Sequence, residues 1–241
     1  MEDGEDHCTS AADVRITVQI ISRSEIVDGR AYDEAYEFWR REWSKAIEQQ
    51  SLNGLSVAVS DKFVYADEVL VVRDGAQIAA LALINHLDVS LAAHGNLAYF
   101  KVMPAQAQAF LRDNRIKKVI ASGYNIVARQ YRRSVIGKKT PLSVALPGIV
   151  IALFDQRPGF DMCMGMPLTS CGNHRTLERL GMKPLHDQTF TIHDVHAKFM
   201  YVVRGEVELG EFDEDIRSLA RQVTTGPQLC SAVRTCGRIA S

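Results

Sequence analysis

Ile126-Val127-Ala128-Arg129-Gln130-Tyr131-Arg132-Arg133-Ser134-Val135-Ile136-Gly137 is the stretch on which the reading of this chain turns. Ile126 and Val127 close a β-forming run that begins at Lys118, so a strand is expected over 118–127. A basic turn follows, and a helical region is expected from Ser134 to Phe154. Pro141 fits near its start, and Pro147 is expected to kink or break it. The first turn of a helix leaves N–H groups unpaired, and the macrodipole puts partial positive charge there. A phosphate or pyrophosphate docks on such a terminus. Arg132, Arg133, Lys138 and Lys139 add cationic donors beside it. The same patch suits a phosphopantetheine arm or the acidic face of a carrier protein. A solvated basic helix start is the competing explanation of the charges.

Toward the N-terminus, Glu68–Arg73 and Gln77–Ile84 flank Asp74-Gly75, which reads as a hairpin. Gly75 supplies the positive φ such a turn needs. Further back, Tyr32, Tyr36, Trp39 and Trp43 recur at three and four residues, so Ala31–Gln50 reads as a helix with an aromatic stripe. That stripe fits a core face before it fits a binding box. Val14–Ile21 is a candidate first strand, and residues 1–13 look like a flexible arm. Between hairpin and central strand, a helix is expected from about Pro104, closed by Asn114.

Toward the C-terminus, Phe160–Met166 reads as a short strand and His174–Leu180 as a helix stopped by Gly181. Thr189–Ile192 and Lys198–Val203 are strand-like and are expected to pair. Asp213–Gln222 is a charged helix, and the rest of 205–241 is a polar tail. Such alternation predicts one α/β (α+β) domain over 14–204, with a mixed, mostly antiparallel sheet flanked by helices.

Length and composition set the bounds. The 241 residues, 46% hydrophobic and 24% charged, fit a globular chain with a full core. A net charge of -1 gives no global attraction to nucleic acid. The five cysteines, Cys8, Cys163, Cys171, Cys230 and Cys236, form no CxxC pair, so they read as reduced thiols and not as a metal knuckle. The acidic start, Met1 to Asp6, is unlike a signal peptide, and the apolar run from Leu142 to Phe154 is too short to span a bilayer. A cytoplasmic, metal-free protein is expected.

Residues 126–137 resemble the donor-binding motif of the GNAT acyltransferase superfamily, a strand followed by Tyr-Arg and R-x-x-G-x-G/A. Arg132 matches the leading Arg and Gly137 the final Gly, while Val135 stands where the first Gly is usual. Thr176-Leu177-Glu178-Arg179-Leu180-Gly181-Met182 resembles the closing L-Y-E-K-L-G-F segment, with Leu177 where a tyrosine acid is common. The resemblance covers roughly residues 65–192. Within the superfamily, the long aromatic helix, the insertion from His86 to Lys118 and Tyr131-Arg132-Arg133-Ser134 look most like the N-acyl amino acid synthases and the acyl-homoserine-lactone synthases. Ala121-Ser122-Gly123-Tyr124 replace the Glu and Arg those families usually carry there.

The resemblance implies an N-acyltransferase that moves a fatty acyl group from acyl-CoA, or from the phosphopantetheine of an acyl carrier protein, to an amine of a small molecule, amino acid or peptide. It places the donor on Ile126, Val127, Ala128, Arg132, Arg133, Ser134, Val135, Ile136, Gly137 and Lys138. It puts oxyanion stabilisation at the Val127 and Ala128 amides. Ser122 and Tyr124 fall where the family bears its base and are candidates to hold a water. His86, at the end of the hairpin strand, is the expected titratable group on a strand facing the site. His174 reads as a surface or capping residue, and His193 and His196, three apart near a turn, lack further metal ligands in the sequence. A short-chain acetyltransferase and a non-catalytic binding module of the same fold are the alternatives.

Overall fold

A computed structural model of the protein describes residues 16–26, 29–49, 60–137, 139–187, 189–192 and 195–225. The arm, Lys138, His193 and the tail beyond 225 lie outside them. Strand β1 (Ile16–Ser22) is followed by helix α1 (Gly29–Gln49), α2 (Ser60–Val64) and the hairpin β2 (Glu68–Asp74) and β3 (Gln77–Asp88). Then come α3 (Ala92–Gly95), α4 (Ala98–Lys101), α5 (Ala105–Asp113) and β4 (Lys118–Val127). A small hairpin, β5 (Val135–Ile136) and β6 (Thr140–Pro141), leads into α6 (Leu142–Asp155), β7 (Met162–Gly165) and α7 (Asn173–Arg179). The chain closes with β8 (Lys183–Pro184), β9 (Phe190–Ile192), β10 (Val195–Ala197), β11 (Met200–Val203), α8 (Asp213–Arg221) and β12 (Thr224–Thr225).

Eight strands form one sheet in the order β12-β1-β2-β3-β4-β7-β11-β8. Its pairs are antiparallel except β1 with β12 and β4 with β7. The hairpin turn is Gly75-Ala76, one residue later than expected, with Gly75 at φ 55°. Strand side chains alternate between faces. Leu70, Val72, Ala80, Ala82 and Ile84 therefore enter a core with α6 and α8. Val69, Val71, Leu81 and Leu83 enter a second core under α1. Burial on both faces explains why these strands read as continuous apolar runs and not as alternation. A third core joins α4 and α5 to β7 and β11. Among the described residues no helix is long and apolar enough to cross a membrane.

α6 is buried from Val144 to Phe154, wedged between the sheet and α8. α8 presents Ile216, Leu219 and Ala220 to it, so residues 205–225 share the domain's core and do not stand apart from it. α6 runs through Pro147 unbroken. At that position proline has no N–H for the Ser143 carbonyl one turn back.

Besides the shifted turn and the unbroken Pro147, two further expectations fail. Thr189–Ile192 and Lys198–Val203 do not pair with each other: β9 pairs with β10, and β11 joins the main sheet beside β7 and β8. More important, no helix starts at Ser134. Val127 leads into a 3-10 turn at Arg129–Tyr131, then the β5–β6 hairpin, and α6 begins only at Leu142 after Pro141. Competing partners explain the detour. Tyr131 Oη bonds Asp74 and Gln77 at the tip of the main hairpin, and Thr140 Oγ1 donates to Asp215 Oδ2 at 2.8 Å. Gly137 lies at φ 60°, and an added Cβ would overlap the Asp215 carboxylate. The glycine makes room for a carboxylate of the protein itself. Gly137→Ala is expected to destabilise the fold by about 2 kcal/mol, from the left-handed backbone and the lost Asp215 bonds. Thermal unfolding measures it, and an unchanged midpoint contradicts this account of the loop.

Candidate functional site

The parallel pairing of β4 with β7 runs from Val119↔Met162 to Ser122↔Gly165 and stops there. Beyond it the two strands part. The β7-facing backbone groups of β4 lose their ladder partners, and a cavity of ≈ 320 Å³ fills the gap. Its walls are Ser122 to Val127 of β4, Cys163 to Leu168 of β7 and the loop after it, Ser143 to Ile151 of α6, and Thr176 and Leu177 of α7. Trp43 and Ala46 of α1 close one side, and Arg132 stands exposed at the rim.

A β-bulge shapes the β4 wall. Leu81 pairs Ile126 while Leu83 pairs Gly123, so β4 carries one extra residue. Tyr124 sits there at φ 52°, a conformation that costs an L-residue about 1–2 kcal/mol. The aromatic stripe of α1 holds it. Trp43 Nε1–H donates to the Tyr124 carbonyl at 3.0 Å, and the Tyr124 ring lies 5.5 Å from Trp43 and 6.0 Å from Trp39. Tyr32, Tyr36 and Trp39 pack on Phe63. The stripe is thus core along most of its length and cavity wall at Trp43.

Among the described residues Arg132 is the only charged one on the lining, and no Asp, Glu or His is on it. The rest is apolar apart from Ser122, Tyr124, Asn125, Ser143, Asn173, Thr176 and the thiols. Burial raises the Tyr124 phenol above its ordinary value, so it stays neutral. Burial pushes the Cys163 thiol up to about 12, which leaves it inert as a nucleophile. Cys171, exposed, is also on the lining. Among the described residues no three His, Cys, Asp or Glu are grouped to hold a metal.

Of the residues expected at the site, Ser122, Tyr124, Ile126, Val127 and Arg132 line this cavity. Ala128, Arg133, Ser134, Val135, Ile136 and Gly137 do not, because the chain turns away into the β5–β6 hairpin. The Ala128 amide donates to the Ala79 carbonyl at 2.9 Å, so it is not free for an oxyanion. His86 is elsewhere. It pairs across β3 with Ile120, toward the start of β4, while the cavity opens near the end of β4. Its Nε2 lies 3.5 Å from Glu68 Oε2 and 3.4 Å from Arg157 Nη1, against the Phe160 ring.

That cluster is a structural tie between the hairpin and the chain after α6. Burial raises the Glu68 pKa, but hydrogen bonds from His86 and Arg157 outweigh it and leave the carboxyl below its usual range. A depressed carboxyl adds stability above its unfolded value, about 4.3, and that stability is lost as pH falls through the folded value. Glu68→Gln is expected to cost about 1 kcal/mol or more at pH 7. It should also flatten the loss of stability below about pH 4. Denaturant titrations at both pH values check this; parallel pH curves for the two proteins contradict it.

A mixed sheet whose central parallel strands part over a cavity, backed by a buried helix, is the GNAT fold, and the resemblance read from the sequence is borne out at this level. Among solved structures, FeeM, an N-acyl amino acid synthase from uncultured soil microbes, matches with a TM-score of 0.56 at 14% identity, over 83% of this chain and 98% of FeeM. BjaI, a CoA-dependent acyl-homoserine lactone synthase solved with SAM and isopentyl-CoA, matches at 0.54 and 14%, over 88% and 94%. The Drosophila melanogaster polyamine N-acetyltransferase matches at 0.52 and 13%, over 78% and 99%. No protein-family model and no curated protein matches the sequence.

Proposed function

We propose that the chain is an N-acyltransferase that takes an acyl group longer than acetyl from a pantetheine thioester and passes it to an amine. The observation that carries this reading is the cavity between β4 and β7, apolar along α6 and α7, flanked by unladdered backbone, with one cation at its rim. The donor's phosphates meet Arg132, with the exposed Arg129 and Arg133 beside it. The pantetheine amides pair with the free edge of β4 and with the Ser143 carbonyl that Pro147 leaves without a donor. The acyl chain lies against Leu146, Val150, Ile151, Met164, Leu177 and Met182, surface that an acetyl group does not fill. FeeM and BjaI, whose names describe acyl transfer to an amino acid and from CoA, support the class of reaction.

The neutral amine attacks the thioester carbonyl, the C–N bond forms and the C–S bond breaks. β4 amides beyond Ser122 hold the oxyanion. Water held at Ser122, whose Oγ is 3.4 Å from Asn125 Oδ1, removes the amine's proton. The Tyr124 phenol, kept neutral by burial, protonates the departing thiolate. Proximity and orientation supply much of the acceleration.

Among the described residues the lining holds no carboxylate or imidazole, so no such side chain is assigned the amine's proton. The rate is expected to rise with pH up to the pKa of the acceptor amine, and the inflection should move when a less basic amine is used. kcat/KM profiles for two amines decide it; an inflection fixed near pH 6–7 for both, where a His titrates, contradicts the assignment of roles. The reaction class is tested with a panel of acetyl to long-chain acyl-CoA and acyl carrier protein thioesters, read by mass spectrometry of the amide product. Acetyl-only turnover sinks the long-chain reading. Failure to bind any thioester sinks the whole.

A further inference from the structure

At the other end of β4 the molecule has a second cavity, of ≈ 580 Å³, cut into the insertion between the hairpin and β4. It shares no lining residue with the acyl-transfer cavity. Phe100 and Leu111 give it an apolar floor, buried at 5% and 6% exposure. Lys101, Arg112, Arg115 and Lys117 stand exposed around it. They come from the end of α4, the last turn of α5, the turn after α5 and the approach to β4. None makes a side-chain hydrogen bond or ion pair among the described residues. No acidic residue is on the lining of this cavity among the described residues; Asp161 Oδ2 accepts the amides of Lys117 and Lys118, and Asp88 Oδ1 accepts the amide and hydroxyl of Ser90. On a chain whose net charge is -1, four cations around one cup are a local arrangement and not a global excess.

The backbone adds an independent observation. Arg115 lies at φ 54°, and Ile116 N donates to the Leu111 carbonyl at 2.9 Å, closing α5. This is the position where helices ordinarily place glycine, because a Cβ is strained there. Arg112 suits the negative end of the α5 dipole on structural grounds. That argument does not extend to an arginine in the left-handed region one turn later, nor to Lys101 and Lys117 from other elements. Strain retained on a charged side chain at a cavity is the pattern of a ligand contact.

We propose that this cup is a second ligand site that takes a nucleoside phosphate: the phosphates against the four cations, the nucleoside on the Phe100 and Leu111 floor. Convergent guanidinium groups suit phosphate oxygens, and a floor of an aromatic and an aliphatic side chain suits a flat base. The site is independent of the acyl-transfer reading, since it uses none of that cavity's residues.

The test is a titration of the full chain with ATP and with pyrophosphate, followed by amide NMR shifts and calorimetry. ATP is expected to move the amides of Val89, Ser90 and residues 100–117, and to bind more tightly than pyrophosphate. Arg115→Gly relieves the backbone strain, so its thermal midpoint should hold or rise while ATP affinity falls about ten-fold. Arg132→Ala should leave ATP binding at the cup unchanged, which separates this site from donor binding. No shift at millimolar ATP or pyrophosphate overturns the site, as do shifts confined to Arg129–Arg133, a response to heparin alone, or unaltered ATP affinity in Arg115→Gly. Equal affinity for ATP and pyrophosphate overturns the nucleoside half of the assignment.

Discussion

Arg132→Ala is expected to weaken acyl-CoA binding ten-fold or more and to leave the thermal midpoint where it is. The two halves have separate causes. Arg132 is exposed, its one side-chain hydrogen bond within the described residues is a long 3.5 Å contact from Nε to the Val127 carbonyl, and no carboxylate there pairs with it. Removing such a side chain changes stability by about 0.5 kcal/mol or less. It is also the only charge on the cavity lining among the described residues. A charge-assisted bond to phosphate contributes about 1.5–3 kcal/mol, a factor of roughly 10 to 150 in affinity. Because the contact is exposed, its share should shrink as salt rises. Arg133→Ala, off the lining, should lose much less. Calorimetric titration at two salt concentrations measures both variants. Equal affinities for the variant and the parent would remove the donor's phosphates from this rim, and with them the orientation of the thioester.

The effect attaches to Arg132 for a different reason than the sequence offers. Strand-former runs, the hairpin turn to within one residue and the 3.6-residue stripe on α1 were legible because local backbone preference decides them. β4 ends at Val127 as read, and the helices at Pro104, His174 and Asp213 sit within one or two residues of expectation. The helix at Ser134 was not legible as wrong. Its residues allow helix, and what forbids it is remote: Asp74 and Gln77 holding Tyr131, and Asp215 holding Thr140. Those partners are 54 to 75 positions away in the chain, beyond any window of local pattern.

The site divides along the same line. Ser122, Tyr124 and Arg132 were found from the motif's order along one strand and its exit. Trp43, Ser143, Met164 and Thr176 were missed because they reach the cavity only through tertiary packing. The bulge at Tyr124 lies just past the last β4–β7 pair, and a bulge leaves no composition mark when its left-handed residue is not glycine. The stripe on α1 held one clue. A tryptophan at its C-terminal end, past the residues needed to cover Phe63, has to pack on something else, and that something is Tyr124.

Gly181→Ala is the substitution with the largest expected cost in stability, about 3 kcal/mol, or roughly 10 °C in thermal midpoint. The sequence marks Gly181 as the residue that stops α7, and its φ of 78° agrees. That alone accounts for about 1–2 kcal/mol. The rest comes from a close approach that the sequence does not reveal. A Cβ here would overlap the Glu208 carbonyl oxygen, a backbone atom. Glu208 cannot step back, because Leu209 and Phe212 next to it are buried in the core shared with α6 and α8. Gly148→Ala is the control. Its added Cβ would meet the Ile216 side chain, whose terminal carbon can rotate, and its helical backbone favours alanine by about 1 kcal/mol. The Gly148 variant should therefore lose much less than the Gly181 variant. Equal losses at the two sites would mean that crowding alone sets the cost, and that the segment carrying Glu208 is free to move. The 205–225 segment would then be an accessory to the domain, where the packing described here makes it a wall of the core behind α6.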